Sequence, residues 1–334
     1  MSKSSNKQTL EELVNKLNEN YVEDLTPIKT GIVPFDYMFG HGIGNEVIQI
    51  AGDSGTAKTS LALQISLMYC RLGKKVLYLN TQNSVNQDRL QILGLNEHLN
   101  KKFFTYKAET FDKAQELLDM FIETDEIDLI IVDSIANLVN GGYLNLEHEG
   151  KRKGISIDNN NSNYDTRPLS LFIRKYSALS SSKKFTLILI SSMRNKIHKT
   201  LGTIEKRFGP KSLDGCCSTI VKINNPKSTD FATKFKSLDN GFPLEFEVIK
   251  STIMRSGVKI PFFFQYGYGI NCIHNLVYYL LKSEIIKEHN SYYELKGTGI
   301  KTHGIELMLK EIFKIYDALY KNYHVDMERY YLNS

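Results

Sequence analysis

The sequence has few cysteines, and their positions exclude the small proteins that disulfides or zinc hold together. Four cysteines occur among 334 residues, without a C-x-x-C pair, and Cys216 directly precedes Cys217. Adjacent cysteines have poor geometry for an ordinary disulfide, and a chain of this length buries a sizeable core without covalent staples. We therefore expect four plain thiols in a reducing compartment.

Long apolar runs are missing as well. No stretch reaches the roughly 18 apolar residues that a membrane span requires. Residues 1–8 are polar, without the apolar segment of a signal peptide. Hydrophobic residues make up 42% of the chain and charged residues 24%, an ordinary globular mixture. The composition therefore predicts a soluble cytoplasmic protein with about two domains.

The sequence also lacks a large excess of either charge. It has 42 Lys+Arg against 37 Asp+Glu, a net charge of +5. Such a balance permits a polyanionic partner without demonstrating one. The excess is local, because residues 191–215 hold six basic and two acidic residues, a net charge of +4. Residues 269–334 hold eight of each sign. A basic segment of this kind suits sequence-independent contact with phosphates, although a solvated face is the alternative.

Continuous apolar strands alternate with helices from about residue 35 onwards. This pattern predicts an α/β fold with a mostly parallel central sheet that helices cover on both faces. The predicted strands are 47–51, 75–80, 129–133, 185–191, 219–223, 244–250 and 261–266, the last of them as an antiparallel extension, and the predicted helices include 60–72 and 115–122. Residues 141–166 and 194–217 interrupt the pattern as long segments, which we expect to be irregular and functional.

The chain divides into three predicted parts. Residues 1–34 form an N-terminal helix and linker, 35–268 the α/β core, and 269–334 a small C-terminal α/β domain. Thr9-x-x-Glu12 is a capping box at the start of the first helix. Because one apolar stripe on so short a helix cannot form a core, we expect this arm to dock on the main domain or on another subunit.

A phosphate-binding turn stands between a predicted strand and helix. It matches G-x-x-x-x-G-K-[ST] except at Ala57, which is tolerable there only with a negative φ. Backbone N–H groups of such a turn cradle the phosphates of ATP, Lys58 reaches the β- and γ-phosphates, and the Thr59 hydroxyl binds Mg²⁺. Asp133 ends a second apolar strand about 75 residues further on, where the Mg²⁺-orienting carboxylate belongs. The predicted nucleotide-binding residues are Gly52, Asp53, Ser54, Gly55, Thr56, Ala57, Lys58, Thr59 and Ser60, with Thr59 and Asp133 as metal ligands.

Seven sequence blocks between about residues 28 and 295 occur in a characteristic order. They are IKTGIVPFDYMFG, GDSGTAKTS, LIIVDSIANL, LEHEG, TRPLSLFIRK, LILISSMRNKI and FEVIKSTIMRSGVKIPFFFQYGYGIN. In this order they resemble the RecA recombinase family, including its phage UvsX-type members, rather than other P-loop ATPases such as hexameric helicases. The resemblance implies a RecA-like ATPase core that forms helical filaments on single-stranded DNA and pairs that strand with a homologous duplex. A loader or single-strand-binding protein is a possible partner. The absence of an acidic C-terminal tail favours a phage-type member, which would act in the host cytoplasm.

The resemblance also implies roles for particular residues. It places DNA-binding loops on the two long segments. It further implies that Arg167, Ser170, Arg174, Arg194 and Gly209 bind DNA. The basic character of the second segment adds Lys196, Lys199, Lys206, Arg207 and Lys211 as predicted DNA-binding residues. Lys250 matches a catalytic lysine that reaches across a subunit interface toward the neighbour's γ-phosphate. Arg89 occupies the position of an adenine-stacking tyrosine, where cation–π stacking on the base and a solvated surface position both remain open.

Departures from the family pattern concern hydrolysis. Gln82 stands where a catalytic glutamate activates the attacking water, and an amide orients water but cannot accept its proton. Ser192 replaces a glutamine that senses the γ-phosphate, and Thr252 replaces a second cross-interface lysine. We therefore expect a DNA-dependent ATPase with slowed turnover. The alternatives are a DNA-binding filament with ATP as a structural ligand, and a RecA-core accessory or mediator ATPase.

Overall fold

The computed structural model describes residues 27–40, 42–82, 84–139, 163–198, 202–226 and 240–316. For 163–166, 194–198 and 202–206 the description covers the backbone only. The helix predicted from Thr9 and residues 141–162 of the first long segment lie outside the described residues. So do the last residues of the predicted C-terminal domain, from 317 onwards.

A ten-stranded sheet forms the centre of the described structure. Its strands are β1 (Val47–Gly52), β2 (Val76–Asn80), β3 (Phe103–Lys107), β4 (Leu129–Asp133), β5 (Thr186–His198), β6 (Gly202–Arg207), β7 (Thr219–Asn224), β8 (Gly241–Lys250), β9 (Lys259–Gln265) and β10 (Gly269–Ile270). They lie in the order β10-β9-β8-β7-β1-β5-β4-β2-β3, and β6 pairs with β5 alone. The strands from β7 to β3 in this order are parallel, so their carboxyl ends share one edge. The mostly parallel α/β fold is thereby confirmed.

Helices cover both faces of this sheet. They are α1 (Val33–Met38), α2 (Lys58–Arg71), α3 (Gln87–Leu93), α4 (Phe111–Ile122), α5 (Asn163–Lys183), α6 (Lys211–Cys216), α7 (Cys272–Lys282) and α8, described over 305–316. Side-chain caps start three of them, since Asn86, Thr110 and Asn271 each accept a hydrogen bond from a backbone N–H three residues on.

Alternate residues of the central strands bury their side chains in two hydrophobic clusters, one on each face. Ile48 and Ile50 of β1 join the cluster that includes α2 and α7, whereas Val47 joins the cluster beneath α4 and α5. Strands β1, β2 and β4 are buried along their full length. Burial on both faces explains why these segments are continuously apolar in sequence.

The antiparallel extension predicted for the last strands is confirmed, because β8, β9 and β10 pair antiparallel outward from β7. A second, three-stranded antiparallel sheet follows, with β11 (Ile286–His289), β12 (Tyr292–Leu295) and β13 (Ile300–His303). Met308 and Ile312 of α8 pack into the same hydrophobic cluster as α1 and α2. The boundary at residue 269 stays a prediction.

Where the structure describes the two long segments, at 163–166, 194–198 and 202–217, they are more regular than expected. Residues 163–166 were assigned to the first irregular segment, but they begin α5. In the second segment, 194–217, strand β5 continues to His198 and pairs antiparallel with β6 from Met193–Arg207 to His198–Gly202. We call residues 193–198 and 202–207 the β5–β6 hairpin. Met193 and Ile197 stand at alternate positions to Arg194, Lys196 and His198, but Asn195 interrupts the apolar series, so the strand signal is weak.

The described structure also covers the cysteines and the lengths of the helices. All four cysteines are free thiols, with Cys70 and Cys217 buried. Over the ranges that the structure describes, no helix has the length and apolar character needed to cross a membrane.

Candidate functional site

The carboxyl edge of the parallel strands brings the predicted nucleotide-site residues together. Gly52 ends β1, Asp133 ends β4, and Gln82 lies two residues beyond β2. Strand β2 pairs with β4 so that Asn80 lies beside Asp133. Ligand sites of open parallel sheets form at this edge, because the loops that follow neighbouring strands meet there.

The phosphate turn connects β1 to α2 and depends on close backbone approach. A Cβ at Gly52 would lie 2.6 Å from Thr56 Oγ1 and 2.8 Å from the Ile223 carbonyl oxygen. Gly55 has a φ of +81°, in the left-handed region that favours glycine. Thr56 is buried, and its hydroxyl donates to the Asp53 carbonyl at 2.9 Å. A side chain at Gly52 would therefore clash with its neighbours, and the backbone conformation at Gly55 favours glycine.

The expectation that Ala57 keeps a negative φ is wrong. Its φ and ψ are +60° and +17°, so Ala57 is the left-handed residue that precedes α2. The turn requires this conformation, which costs a residue with a Cβ about 1–2 kcal/mol. No side chain caps the N-terminus of α2, so its first N–H groups remain available to an anion.

Lys58 is the first residue of α2 and folds back over the turn. Its ammonium donates to the Asp53 carbonyl oxygen. Burial lowers the pKa of this ammonium, and the nearby carboxylates of Asp133 and Asp53 oppose part of the shift. A partly desolvated ammonium interacts more strongly with an anion than one in bulk water.

Asp133 is buried at the end of β4 and receives two hydrogen bonds on one carboxylate oxygen. Thr59 Oγ1 and the Tyr78 hydroxyl both donate to its Oδ2, each at 2.6 Å. Burial, together with the charge of Asp133, raises the pKa of Tyr78 well above its ordinary value, so this hydroxyl stays a donor. Tyr78 therefore fixes the orientation of the Asp133 carboxylate through this hydrogen bond.

Thr59 and Asp133 fit Mg²⁺, because Mg²⁺ takes oxygen ligands and is usually held by one or two carboxylates together with substrate phosphates. Their oxygens face each other between the end of β4 and the start of α2. Across the described ranges, this site included, no group of three or more His, Cys, Asp or Glu side chains could hold a metal ion. The site thus suits a cation that arrives with a phosphate ligand.

Gln82 is exposed, and its side-chain nitrogen donates to Ser134 Oγ at 2.8 Å. Ser134 is also tied to the β2 end, since Thr81 Oγ1 accepts from its backbone N–H at 2.6 Å. Asn80 shapes the turn after β2, where its Oδ1 accepts from the Ser84 N–H at 3.1 Å. These contacts fix the segment that carries Gln82 beside the Asp133 carboxylate.

Arg89 lies on α3 and is bound to the start of α2. Its Nη2 donates to Ser60 Oγ at 2.7 Å, and its Nη1 donates to the Ser84 carbonyl at 3.1 Å. Of the two open interpretations, these contacts favour a position at the border of the phosphate turn over a freely solvated one. Its predicted stacking on a base stays a prediction.

Lys250 and Ser192 lie on strands on opposite sides of β1, since the strand order is β8-β7-β1-β5. Lys250 ends β8, and its ammonium donates at 2.7 Å to each of the backbone carbonyls of Asp214 and Cys217. Ser192 pairs with Gly52 across β5 and β1. Thr252 is exposed. Within this chain Lys250 thus contacts the C-terminal end of α6.

Three predicted DNA-binding residues share one helix. Arg167, Ser170 and Arg174 lie on α5 at i, i+3 and i+7, which places them on one helix face. Both arginines are exposed, and so is Leu171 between them. Helix α5 packs against α6, so this helix is a neighbour of the second predicted DNA-binding segment.

The β5–β6 hairpin carries most residues of the second set. Arg194 and Lys196 lie on β5, with Arg194 opposite Lys206 on β6. Lys199 lies outside the described residues. Gly209 has a φ of +133°, and a Cβ there would approach Leu213 Cδ2 to 2.7 Å. Lys211 is exposed at the start of α6. Arg207 differs from the others, because its guanidinium contacts Gln49 and Asp214.

Sequence reasoning missed four polar residues that organise this edge. Tyr78 and Ser134 lie in or next to predicted strands, but neighbouring residues in the sequence do not indicate that they bond Asp133 and Gln82. Gln49 is a polar residue in the middle of a buried apolar strand, a signal that could have found it. Gln64 of α2 donates to the Ile270 carbonyl at 3.1 Å and accepts from the Ile270 N–H at 2.7 Å. These two hydrogen bonds hold the GYGIN block against the helix that follows the phosphate turn.

A phosphate turn between a buried strand and a helix, with a strand-end carboxylate beside it on a parallel sheet, defines the P-loop class of nucleotide-binding proteins. Within that class, the RecA N-terminal domain family matches residues 2–271. The match covers most of the chain, and the chain therefore belongs to this family.

Curated relatives agree with the family. The chain is 26% identical to Protein RecA of Colwellia psychrerythraea over 293 residues, 86% of this chain and 79% of that protein. It is 26% identical to Protein RecA of Mycoplasma mycoides over 268 residues, 78% and 72% of the two chains. With Protein RecA of Phytoplasma mali the identity is 23% over 311 residues, 91% and 87% of the two chains.

Proposed function

We propose that this chain is an ATP-dependent recombinase that forms filaments on single-stranded DNA and promotes pairing and strand exchange with a homologous duplex. The single observation that carries the proposal is the shared position of three features. The phosphate turn, the strand-end carboxylate Asp133 and the basic β5–β6 hairpin all lie at the carboxyl edge of the sheet. Membership of the RecA N-terminal domain family supports the same activity.

In this proposal the start of α2 binds ATP. The uncapped N–H groups of α2 and the Lys58 ammonium bind the β- and γ-phosphates. Thr59 and Asp133 would hold Mg²⁺, which supplies charge neutralisation on the phosphates when bound. Arg89 borders the nucleotide, and Lys250 of a neighbouring subunit completes the γ-phosphate contacts in the filament.

Hydrolysis in this proposal is slow. The Gln82 amide orients the attacking water by hydrogen bonding, but it cannot remove the proton. Because general-base catalysis typically contributes about 10²–10⁴-fold, turnover should be weak but measurable. A persistent ATP-bound filament would follow from the same substitution.

DNA contacts in this proposal come from α5 and the second basic segment. Arg167, Ser170 and Arg174 supply one exposed helix face, and the hairpin cations supply the other surface. Lys211 extends the second surface beyond the hairpin, and Gly209 gives the chain the turn that it needs there. Such phosphate contacts are sequence-independent and weaken steeply with salt. A loader or single-strand-binding protein as partner, a phage-type origin and a cytoplasmic location belong to the proposal as well.

Steady-state ATPase assays with and without single-stranded DNA test this proposal. We expect weak, DNA-stimulated turnover in the wild type and an increase of about 100-fold in Gln82→Glu. Gln91→Glu, an exposed position on α3, is the matched control and should leave turnover unchanged. If filaments form on single-stranded DNA by electron microscopy but no strand exchange occurs, the recombinase proposal is wrong.

Gln82 also favours a second candidate function, a DNA-binding filament in which ATP is a structural ligand. The two candidates differ in one measurement. Robust DNA-stimulated ATP turnover in the wild-type protein excludes the structural-ligand function, whereas filaments that need ATP but never hydrolyse it support it.

A further inference from the structure

Arg207 ends the β5–β6 hairpin and is held between two elements. Its Nη1 donates to Gln49 Oε1 on β1 at 2.6 Å, and its Nη2 donates to Asp214 Oδ1 on α6 at 2.8 Å. The Arg207 side chain is 21% exposed. Both ends of the planar guanidinium are therefore committed within the protein, in the fork geometry that arginine provides and lysine does not.

Gln49 is fully buried and ties three segments together. Its amide nitrogen donates to Ser191 Oγ on β5 at 2.8 Å and to the Phe208 carbonyl at 3.3 Å, while its Oε1 accepts from Arg207. Loss of Arg207 would leave that buried oxygen without its charged donor, which is costly. Gln49 also stands three residues before Gly52, in the strand that leads into the phosphate turn.

Asp214 connects the same contacts to Lys250. Its carboxylate pairs with Arg207, and its backbone carbonyl accepts from the Lys250 ammonium at 2.7 Å. The cavity beside Arg207, of about 390 Å³, is lined by the carboxylates of Asp214 and Glu247 and by the cations Lys211 and Lys222. A DNA phosphate at Arg207 would have to displace the Asp214 carboxylate from the guanidinium.

We infer that Arg207 is a positioning residue, which fixes the exit of the β5–β6 hairpin to β1 and α6, and not a residue that contacts DNA. We call its contacts with Gln49 and Asp214 the Arg207 lock. The inference rests on the proposed function, in which the hairpin binds single-stranded DNA. It separates Arg207 from Lys211, a cation of the same segment that is exposed at the start of α6.

Two substitutions separate the two roles. In Arg207→Lys the charge remains but the bridge between Gln49 and Asp214 is lost. In Asp214→Asn the arginine remains and its acidic partner is neutralised. If Arg207 positions the hairpin, both variants should bind a single-stranded oligothymidine about tenfold more weakly, with an unchanged slope of log K against log salt. Arg207→Gln should behave like Arg207→Lys.

A phosphate contact at Arg207 gives different results and would overturn the inference. Arg207→Lys would then bind like the wild type, Arg207→Gln would lower the salt slope by about 0.7, and Asp214→Asn would strengthen binding by removing a negative charge. Lys211→Gln is the matched control, an exposed cation near the hairpin, and we expect it to lower the slope by about 0.7. Fluorescence anisotropy over a salt series measures each constant.

Hydrogen exchange without DNA or nucleotide tests the lock separately. Amides of 194–198 and 202–207 should exchange at least about tenfold faster in Arg207→Lys and Asp214→Asn, and at the wild-type rate in Lys211→Gln. Unchanged hairpin exchange in both lock variants would contradict the inference. Absence of oligothymidine binding by the wild type would instead contradict the proposed function, and the exchange measurement would still decide the lock.

Discussion

The phosphate turn takes its groups from the consecutive residues 52–59, whereas the base of the β5–β6 hairpin takes them from two distant parts of the chain, Gln49 on β1 and residues 191–214. Lys58 and Thr59 are neighbours in sequence. Gln49 and Arg207 are 158 residues apart and meet only because β1 and β5 are adjacent strands. The two regions lie on the same edge of one sheet.

This difference determines what each region needs from the rest of the protein. The conformation of the turn is determined by its own glycines and by the start of α2. The rest of the protein has only to fix the positions of β1 and α2, which the turn connects. The hairpin base depends on packing of β1, β5 and α6 together. We therefore expect substitutions in the turn to change ligand binding with little effect on the hairpin, and substitutions at the hairpin base to change order and stability first.

The largest expected effect is that of Lys58→Ala on the turn. Loss of a half-buried cation that contacts phosphates should weaken ATP binding by about 100-fold or more, or about 2.7 kcal/mol. Titration with a fluorescent ATP analogue measures it. Lys113→Ala, an exposed lysine on α4 that pairs with Glu116, is the control. Unchanged ATP affinity in Lys58→Ala would remove the turn as the nucleotide site, and altered hairpin exchange without nucleotide would contradict the independence of the two regions.

Gly209→Ala should have the next largest effect, at the hairpin exit. Its φ of +133° is strained for any residue with a Cβ, and that Cβ would meet Leu213. We expect a loss of about 2 kcal/mol in the free energy of unfolding, measured by urea denaturation. Gly215→Ala is the matched control, because Gly215 lies in α6 with open space around its Cβ position. Equal stability of the two variants would show that the exit tolerates a side chain.

Sequence reasoning succeeded where the determinants are local. The apolar strands, the phosphate turn and the strand-end position of Asp133 follow from contiguous patterns, and each was predicted within a few residues. The hairpin was predicted as an irregular segment because its charged residues hide the apolar pattern of a strand. Strand β6 pairs with β5 alone, so it lacks the apolar character of the central strands. Ala57 was misjudged because the turn, not the residue's own preference, sets its φ.

Partners across the sheet could not be predicted in the same way. That Tyr78 donates to Asp133, or Gln49 accepts from Arg207, depends on which strands are neighbours and on which face each side chain emerges. A single sequence contains the polar residue but not its partner. Buried polar side chains in apolar strands are nevertheless worth marking, since each must find a hydrogen bond.

Tyr78→Phe tests whether the contiguous site depends on such a distant contact. Removing the hydroxyl leaves the Asp133 carboxylate less firmly oriented, and we expect the Mg²⁺ concentration for half-maximal ATP turnover to rise about tenfold. Tyr69→Phe is the control, because its buried hydroxyl bonds Thr186 away from the site. An unchanged Mg²⁺ requirement in Tyr78→Phe would mean that Thr59 alone orients the carboxylate.

The smallest expected effect concerns Ala57→Gly, which restores the glycine of the motif. Relief of the left-handed strain, about 1–2 kcal/mol, exceeds the added flexibility of glycine in the unfolded chain, about 0.5–1 kcal/mol. We expect a net gain of about 0.5–1 kcal/mol in urea denaturation, with ATP affinity unchanged or slightly increased. Ala178→Gly, the same substitution on the exposed side of α5, should instead cost about 1 kcal/mol. Opposite signs for one chemical change would show that the turn imposes its backbone on Ala57, and a loss at both positions would show that Ala57 is not strained.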